Sequence, residues 1–120
     1  MNKLLSRRRI FPAGAFLLCA LCCAGNAHAD YYWKGGNLLQ HLDEEVRGVP
    51  SFDVAVALGY VTGVVDTLDG IVVCSPPGAK LRETTRVVYD YLKSHPEMAS
   101  QPAHRAIAEA LGDAWPCAKK

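Results

Sequence analysis

The chain has 120 residues, half of them hydrophobic, with 13 Lys and Arg against 12 Asp and Glu. That length holds one small domain with a modest core. The near balance of charge excludes the basic footprint of a nucleic-acid-binding protein.

The chain opens as a targeting segment. Lys3, Arg7, Arg8 and Arg9 make a positive start, Ile10 to Ala24 an apolar middle, and Ala27-His28-Ala29 puts small residues before Asp30. These three parts together predict a signal peptide over residues 1–29, cleaved on export to the periplasm. An uncleaved anchor is the simpler alternative. Cys19, Cys22 and Cys23 suggest a lipoprotein, but Leu18, Leu21 and Cys22 before them are not the small residues that lipid attachment prefers. Arg8-Arg9 followed by Ile10-Phe11 is similar to a twin-arginine signal. The general secretory route suits a protein that must form a disulfide after export.

Cleavage changes the balance. In residues 30–120, 9 Lys and Arg face 12 acids, a net charge of −3, and the 5 cysteines fall to Cys74 and Cys117. Two cysteines in a small exported domain most simply pair with each other. The loop so closed, about 44 residues, is worth roughly 4 kcal/mol in chain entropy.

Residues 30–120 read as one all-α domain, a compact four-helix fold with one disulfide. Tyr31-Tyr32-Trp33 is an aromatic arm expected to dock on the core, and Gly35-Gly36 breaks the chain. Asn37 is the expected cap of the first helix, with Gln40 completing a capping box. Leu38, Leu39, Leu42 and Val46 form its inner stripe, and Gly48 and Pro50 end it.

Ser51 is placed to cap the second element, the apolar stretch from Phe52 to Cys74, with Asp53 in its first turn. Its apolar residues recur at helical spacing, almost all round between Val54 and Val65, which predicts a position at the centre of the fold. Gly59 and Gly63 share one face and predict a closely packed backbone there. A transmembrane reading fails because Asp53, Asp66 and Asp69 interrupt the run. Ser75-Pro76-Pro77-Gly78 is a hard stop.

A third helix is expected from about Lys80 to Ser94, with Leu81, Thr85, Val88, Tyr91 and Leu92 inside and Glu83, Arg86, Asp90 and Lys93 outside. Arg86 and Asp90 are four apart, a supporting ion-pair spacing. Pro96 closes this helix at His95. His95 to Gln101 reads as a polar loop. Pro102 opens a fourth, alanine-rich helix with Ala103, Ala106, Ile107, Ala110, Leu111 and Ala114 on one stripe, and Pro116 ends it just before Cys117.

Catalysis is poorly supported. Cys74 with His95 or His104 would make a thiol–imidazole pair, but the disulfide is the simpler reading. Asp66 and Asp69 share a helical face, more simply a solvated edge. His41, His95 and His104 lack metal-ligand spacing, and there is no phosphate loop or nucleophile elbow. No catalytic residue, cofactor or metal is therefore expected, and the remaining class is a binding protein.

Five pieces then carry a resemblance: Gly59-Tyr60-Val61-Thr62-Gly63, Val73-Cys74-Ser75-Pro76, Tyr91-Leu92 with His95-Pro96-Glu97, Pro102-Ala103, and Trp115-Pro116-Cys117. In this order and spacing, from about Gly36 to Cys117, the chain resembles the Tai immunity family. Those are periplasmic antidotes to peptidoglycan amidase toxins delivered by type VI secretion. The resemblance implies an all-helical domain, often a homodimer, that blocks the cleft of a cell-wall cysteine amidase. The family commonly has a further cysteine pair, in the first helix and just before the Gly-Tyr of the second. Here residues around His41 or Leu42, and Ala57, stand in those places, so both partners are absent together.

Inhibition by occlusion needs a protruding, preorganised loop. The segment His95 to Gln101, fixed by Pro96 and Pro102, is the candidate, with Glu97, Met98, Ser100 and Gln101 as expected partner-binding residues. Arg86 and Asp90, with Lys93, are expected to flank the contact. A second class remains open. Small exported helical domains with one disulfide also serve as periplasmic acid-stress chaperones, which loosen as their carboxylates protonate.

Overall fold

The computed structural model describes residues 32–119. The expected signal peptide, residues 1–29, and Tyr31 lie outside the described residues. The described chain is all helical: α1 (Gly35–Val46), α2 (Phe52–Leu68), α3 (Leu81–Ser94), a short 3-10 segment (Pro96–Ser100) and α4 (Ala103–Ala114). The helices pack around one core whose largest fully buried side chains are Leu38, Leu42, Val61, Val73, Val88, Ile107 and Leu111. α1 touches every other element, and α3 lies against α4. Cys74 and Cys117 form the expected disulfide, with Cα atoms 4.9 Å apart.

α1 begins two residues earlier than Asn37. Lys34 is its N-cap, and the Asn37 side chain reaches back to accept the Lys34 N–H at 3.3 Å. The early start follows from a tertiary hydrogen bond, in which the Gly35 N–H donates to the Gln101 carbonyl at 2.9 Å. That bond satisfies a donor the first turn leaves open. Trp33 docks as expected, its ring 5.2 Å from His41 and 5.6 Å from Tyr60, whereas Tyr32 is exposed and stacks on Trp33.

α2 departs most from expectation. Ser51 does cap it, its hydroxyl accepting the Val54 N–H at 3.1 Å. The helix stops at Leu68, however, and does not run on to Cys74. Gly70 turns the chain with φ of 77°, the Asp69 carboxylate accepts the Ser75 N–H at 2.9 Å, and the Gly70 N–H donates to the Val73 carbonyl at 2.7 Å. Val73 is thereby buried while Ile71 and Val72 point outward. Nor is α2 central: Val54, Ala57 and Val61 alone are fully inside. Among the described residues a Cβ built on Gly59 or Gly63 meets nothing within 4 Å beyond its chain neighbours and its own helix backbone, so the close backbone expected there is not supplied by them. Its apolarity all round masked which side would be covered. Among the described residues, no helix is long and apolar enough to cross a membrane.

α3 buries Thr84, Thr85, Val88 and Leu92 but leaves Leu81 exposed at the N-terminal end. Thr84 and Thr85 are tolerated inside because their hydroxyls donate to the carbonyls of Lys80 and Arg82. α4 buries Ala103, Ala106, Ile107, Ala110 and Leu111 as its stripe predicts, with Ala114 exposed. Alanine at these positions lets α4 sit close to its neighbours.

Candidate functional site

The segment between α3 and α4 is ordered as a 3-10 turn, Pro96–Ser100. Pro96 cannot continue α3 and sets the φ of its own turn. The Met98 N–H donates to the His95 carbonyl at 3.0 Å, and the Gln101 N–H donates to the Met98 carbonyl at 3.1 Å. Glu97, Ala99 and Ser100 face solvent and Gln101 is half-buried. Met98 differs from expectation. It is 5% exposed and belongs to the core, so its side chain anchors the turn rather than offering itself to a partner. As the one large apolar side chain of this segment, Met98 is drawn inward while its neighbours Glu97 and Ala99 stay exposed.

Each end of the segment is held. At its start the His95 ring stacks on Tyr91, with centroids 3.9 Å apart, and His95 Nδ1–H donates to the Tyr91 carbonyl at 2.9 Å. The Tyr91 hydroxyl donates to Glu109 at 2.9 Å, and Arg105 Nε donates to the same carboxylate at 2.8 Å. Arg105 also reaches the Gln101 side chain at 3.4 Å. These contacts hold the Glu109 carboxyl below its ordinary pKa, the Arg105 bond being the largest cause and the Tyr91 bond next. Partial burial and the Glu109 bond push the Tyr91 phenol up to about 12. At its far end the segment is tied to the residues before α1, where the Ala103 N–H donates to the Trp33 carbonyl at 2.9 Å.

Arg86 and Asp90 are exposed and pair with each other at 3.2 Å. Arg86 stands eight residues before the end of α3, roughly 12 Å along its axis. It lines a different feature, a groove of about 430 Å³ with Glu45, Val46, Lys80, Arg82 and Glu83. Lys93 and Arg86 both lie over the Tyr89 ring, whose hydroxyl donates to Asp43 at 3.0 Å. The structure thus brings Glu97, Ser100 and Gln101 together and sets Arg86 apart from them. The network of Tyr91, His95, Arg105 and Glu109 was missed in the sequence. Its signal is the i, i+4 pair Arg105–Glu109 on an alanine-rich helix, which only tertiary packing connects to Tyr91.

The chemistry considered from sequence finds no support in this geometry. Cys74 is half of a disulfide and has no thiol to offer. Asp69 caps the turn after α2 and Asp66 is exposed. Among the described residues no group of His, Cys, Asp or Glu is placed to hold a metal ion.

No curated protein matches the chain. The family of Rap1a immunity proteins matches it over residues 34–117, from the cap of α1 to the second cysteine of the disulfide. That match carries the expectation of an immunity family and leaves the finer assignment to Tai as a proposal. The matched span contains the four described helices, the 3-10 segment and both disulfide cysteines, and on it the chain belongs to the Rap1a immunity protein family.

Proposed function

We propose that this protein is a periplasmic immunity protein of the Tai type. In this reading it binds a peptidoglycan amidase effector of a type VI secretion system and occludes that enzyme's active-site cleft. The observation that carries the reading is the 3-10 segment, which presents Glu97, Ala99 and Ser100 to solvent while Met98 is locked in the core. A segment already held in its bound shape has little ordering entropy left to lose on binding. The signal peptide of residues 1–29 would deliver the protein to the compartment where such a toxin acts. The test is co-purification of residues 30–120 with a peptidoglycan amidase effector of type VI secretion, followed by hydrolysis of purified peptidoglycan. Inhibition at a one-to-one ratio supports the reading, and hydrolysis unaffected by excess protein sinks it.

The protein works as a homodimer in this reading, paired through the outer face of α2. Phe52 is 81% exposed, Ala55, Gly59, Thr62 and Gly63 are also exposed, and no residue from Val54 to Val65 is charged. An apolar groove of about 280 Å³, lined by Val64, Thr67, Leu68, His104 and Ala108, continues that surface. A two-fold axis across the two glycines would let a second α2 approach closely. Light scattering should give twice the monomer mass for the wild type and the monomer mass for Gly59→Glu. A monomeric wild type refutes the dimer.

A further inference from the structure

We infer that Gly35 and Gly36 are positioning residues for the inhibitory segment. They fix how far Pro96–Gln101 stands from the body of the protein because they have no side chains; this rests on the occlusion reading. The backbones meet without an intervening layer. A Cβ on Gly35 would overlap the Met98 carbonyl oxygen, lie 3.0 Å from its carbonyl carbon and 3.2 Å from Leu92 Cδ2. A Cβ on Gly36 would lie 3.3 Å from the Ala99 carbonyl oxygen and 3.5 Å from Ala99 Cβ. Neither glycine has a positive φ, so alanine fits the local conformation at both and space alone distinguishes the residues. Two adjacent glycines weaken the first turn of α1 by about 1 kcal/mol each relative to alanine. The close approach they permit offsets that loss.

The contact lies at the base of the segment. The Met98 carbonyl accepts the Gln101 N–H and so closes the 3-10 turn, and the next carbonyl held by α1 is that of Gln101 itself, through the Gly35 N–H. Lys34 and Pro102 form an isolated antiparallel bridge beside this bond. A side chain at residue 35 therefore pushes on the atom that closes the turn. It moves Glu97, Ala99 and Ser100 as a unit without touching any of them.

The experiment compares Gly35→Ala and Gly36→Ala with a core control, Val61→Ala, each made in residues 30–120. Val61 is fully buried on α2 and lowers stability without a role in the segment. Amide resonances and exchange rates of residues 97–101 are read by NMR, and inhibition is read with the same peptidoglycan amidase effector on purified peptidoglycan. Gly35→Ala is expected to shift the Met98–Gln101 resonances, speed exchange of the Gln101 amide by about tenfold and weaken inhibition at least about tenfold. Gly36→Ala acts in the same direction and less. Val61→Ala lowers the melting temperature and leaves the segment's resonances and the inhibition unchanged. Unmoved resonances in a folded Gly35→Ala overturn the inference, as does a Val61→Ala that moves them equally. If Gly35→Ala does not fold, Gly36→Ala decides. Should the wild type fail to inhibit, occlusion falls, and the resonance comparison still decides whether the glycines position the segment.

Discussion

Two pairs of glycines sit on two helices and meet opposite surroundings. Gly35 and Gly36 open α1 with the backbone of Met98 and Ala99 against them, whereas Gly59 and Gly63 lie on α2 with nothing outside their own helix, among the described residues, within 4 Å of a Cβ at either position. Helical spacing marks the second pair as a place for close packing, and adjacency marks the first as a break. The structure reverses both. A glycine records that a side chain is unwanted; whether the reason lies within the chain, in a second copy or in a turn is decided by what faces it. The difference divides the molecule into a base that is finished internally, around the 3-10 segment, and an outer α2 face that is not.

The largest expected effect tests whether these regions are independent. The disulfide between Cys74 and Cys117, 43 residues apart in sequence, ties the turn that follows α2 to the residues that follow α4. Cys74→Ser with Cys117→Ser should lose about 4 kcal/mol in urea denaturation. Local exchange should rise in residues 69–75 and 115–117, where the Cys74 N–H bonds to the Trp115 carbonyl. Protection of residues 97–101 beyond the global loss should not change, because their anchors are Gly35, Trp33 and Tyr91. A preferential loss of protection there would mean that the segment depends on the disulfide.

The glycines themselves sharpen the comparison. Gly35→Ala should destabilise by about 1–3 kcal/mol, because a methyl group is forced against a carbonyl in a packed site. Gly59→Ala should do the opposite for the monomer and stabilise it by up to about 1 kcal/mol, since the helix gains propensity and nothing is crowded. In the proposed dimer the same methyl group would stand at the close approach and weaken association. Urea titrations at low and high protein concentration separate the two. A Gly59→Ala that destabilises the monomer would show that the outer face is not open.

Much of this was legible in the residues. The number and order of the described helices follow from the apolar stripes and the Pro and Gly stops, the Ser51 cap from its position before Phe52, and the disulfide from having two cysteines after residue 29. What misled were places where a neighbour far in sequence decides. Asn37 is a good cap residue, but a hydrogen bond to Gln101 draws the helix start back to Gly35. Met98 lies in a polar loop, and its burial depends on the space beside Leu92 and Gly35. Ile71 and Val72 continue the helical pattern of α2, yet Gly70 with positive φ turns them out. A stretch that is apolar on all sides cannot announce which side its own chain will cover.

The smallest effect concerns the linked network of charges that sits at the base of the segment. Tyr91, Arg105 and Glu109 are linked at the base of the segment, with His95, Glu97 and Asp113 close enough to act on them electrostatically, while α2 carries no charge from Val54 to Val65. Glu109 titrates below its ordinary 4.5, so its contribution is full above that value and is lost as pH falls through the lower folded one. Tyr91 is raised from 10.0 to about 12, so its contribution is full below 10.0 and is lost as pH rises towards 12. Because these side chains are partly solvated, Glu109→Gln should lower neutral-pH stability by no more than about 1 kcal/mol. That deficit should shrink towards zero as pH falls through the lowered folded value and the wild-type carboxylate is itself protonated. Tyr91→Phe should show its deficit at neutral pH and lose it as the medium approaches about pH 12. The Gly59→Ala increment should hold constant from neutral pH into acid, because among the described residues nothing beyond its chain neighbours and its own helix backbone lies within 4 Å of the added methyl group. Urea midpoints for the three variants across these pH values make the test. A Glu109→Gln deficit that persists unchanged in acid would mean that the carboxylate's charge does not hold the base of the segment.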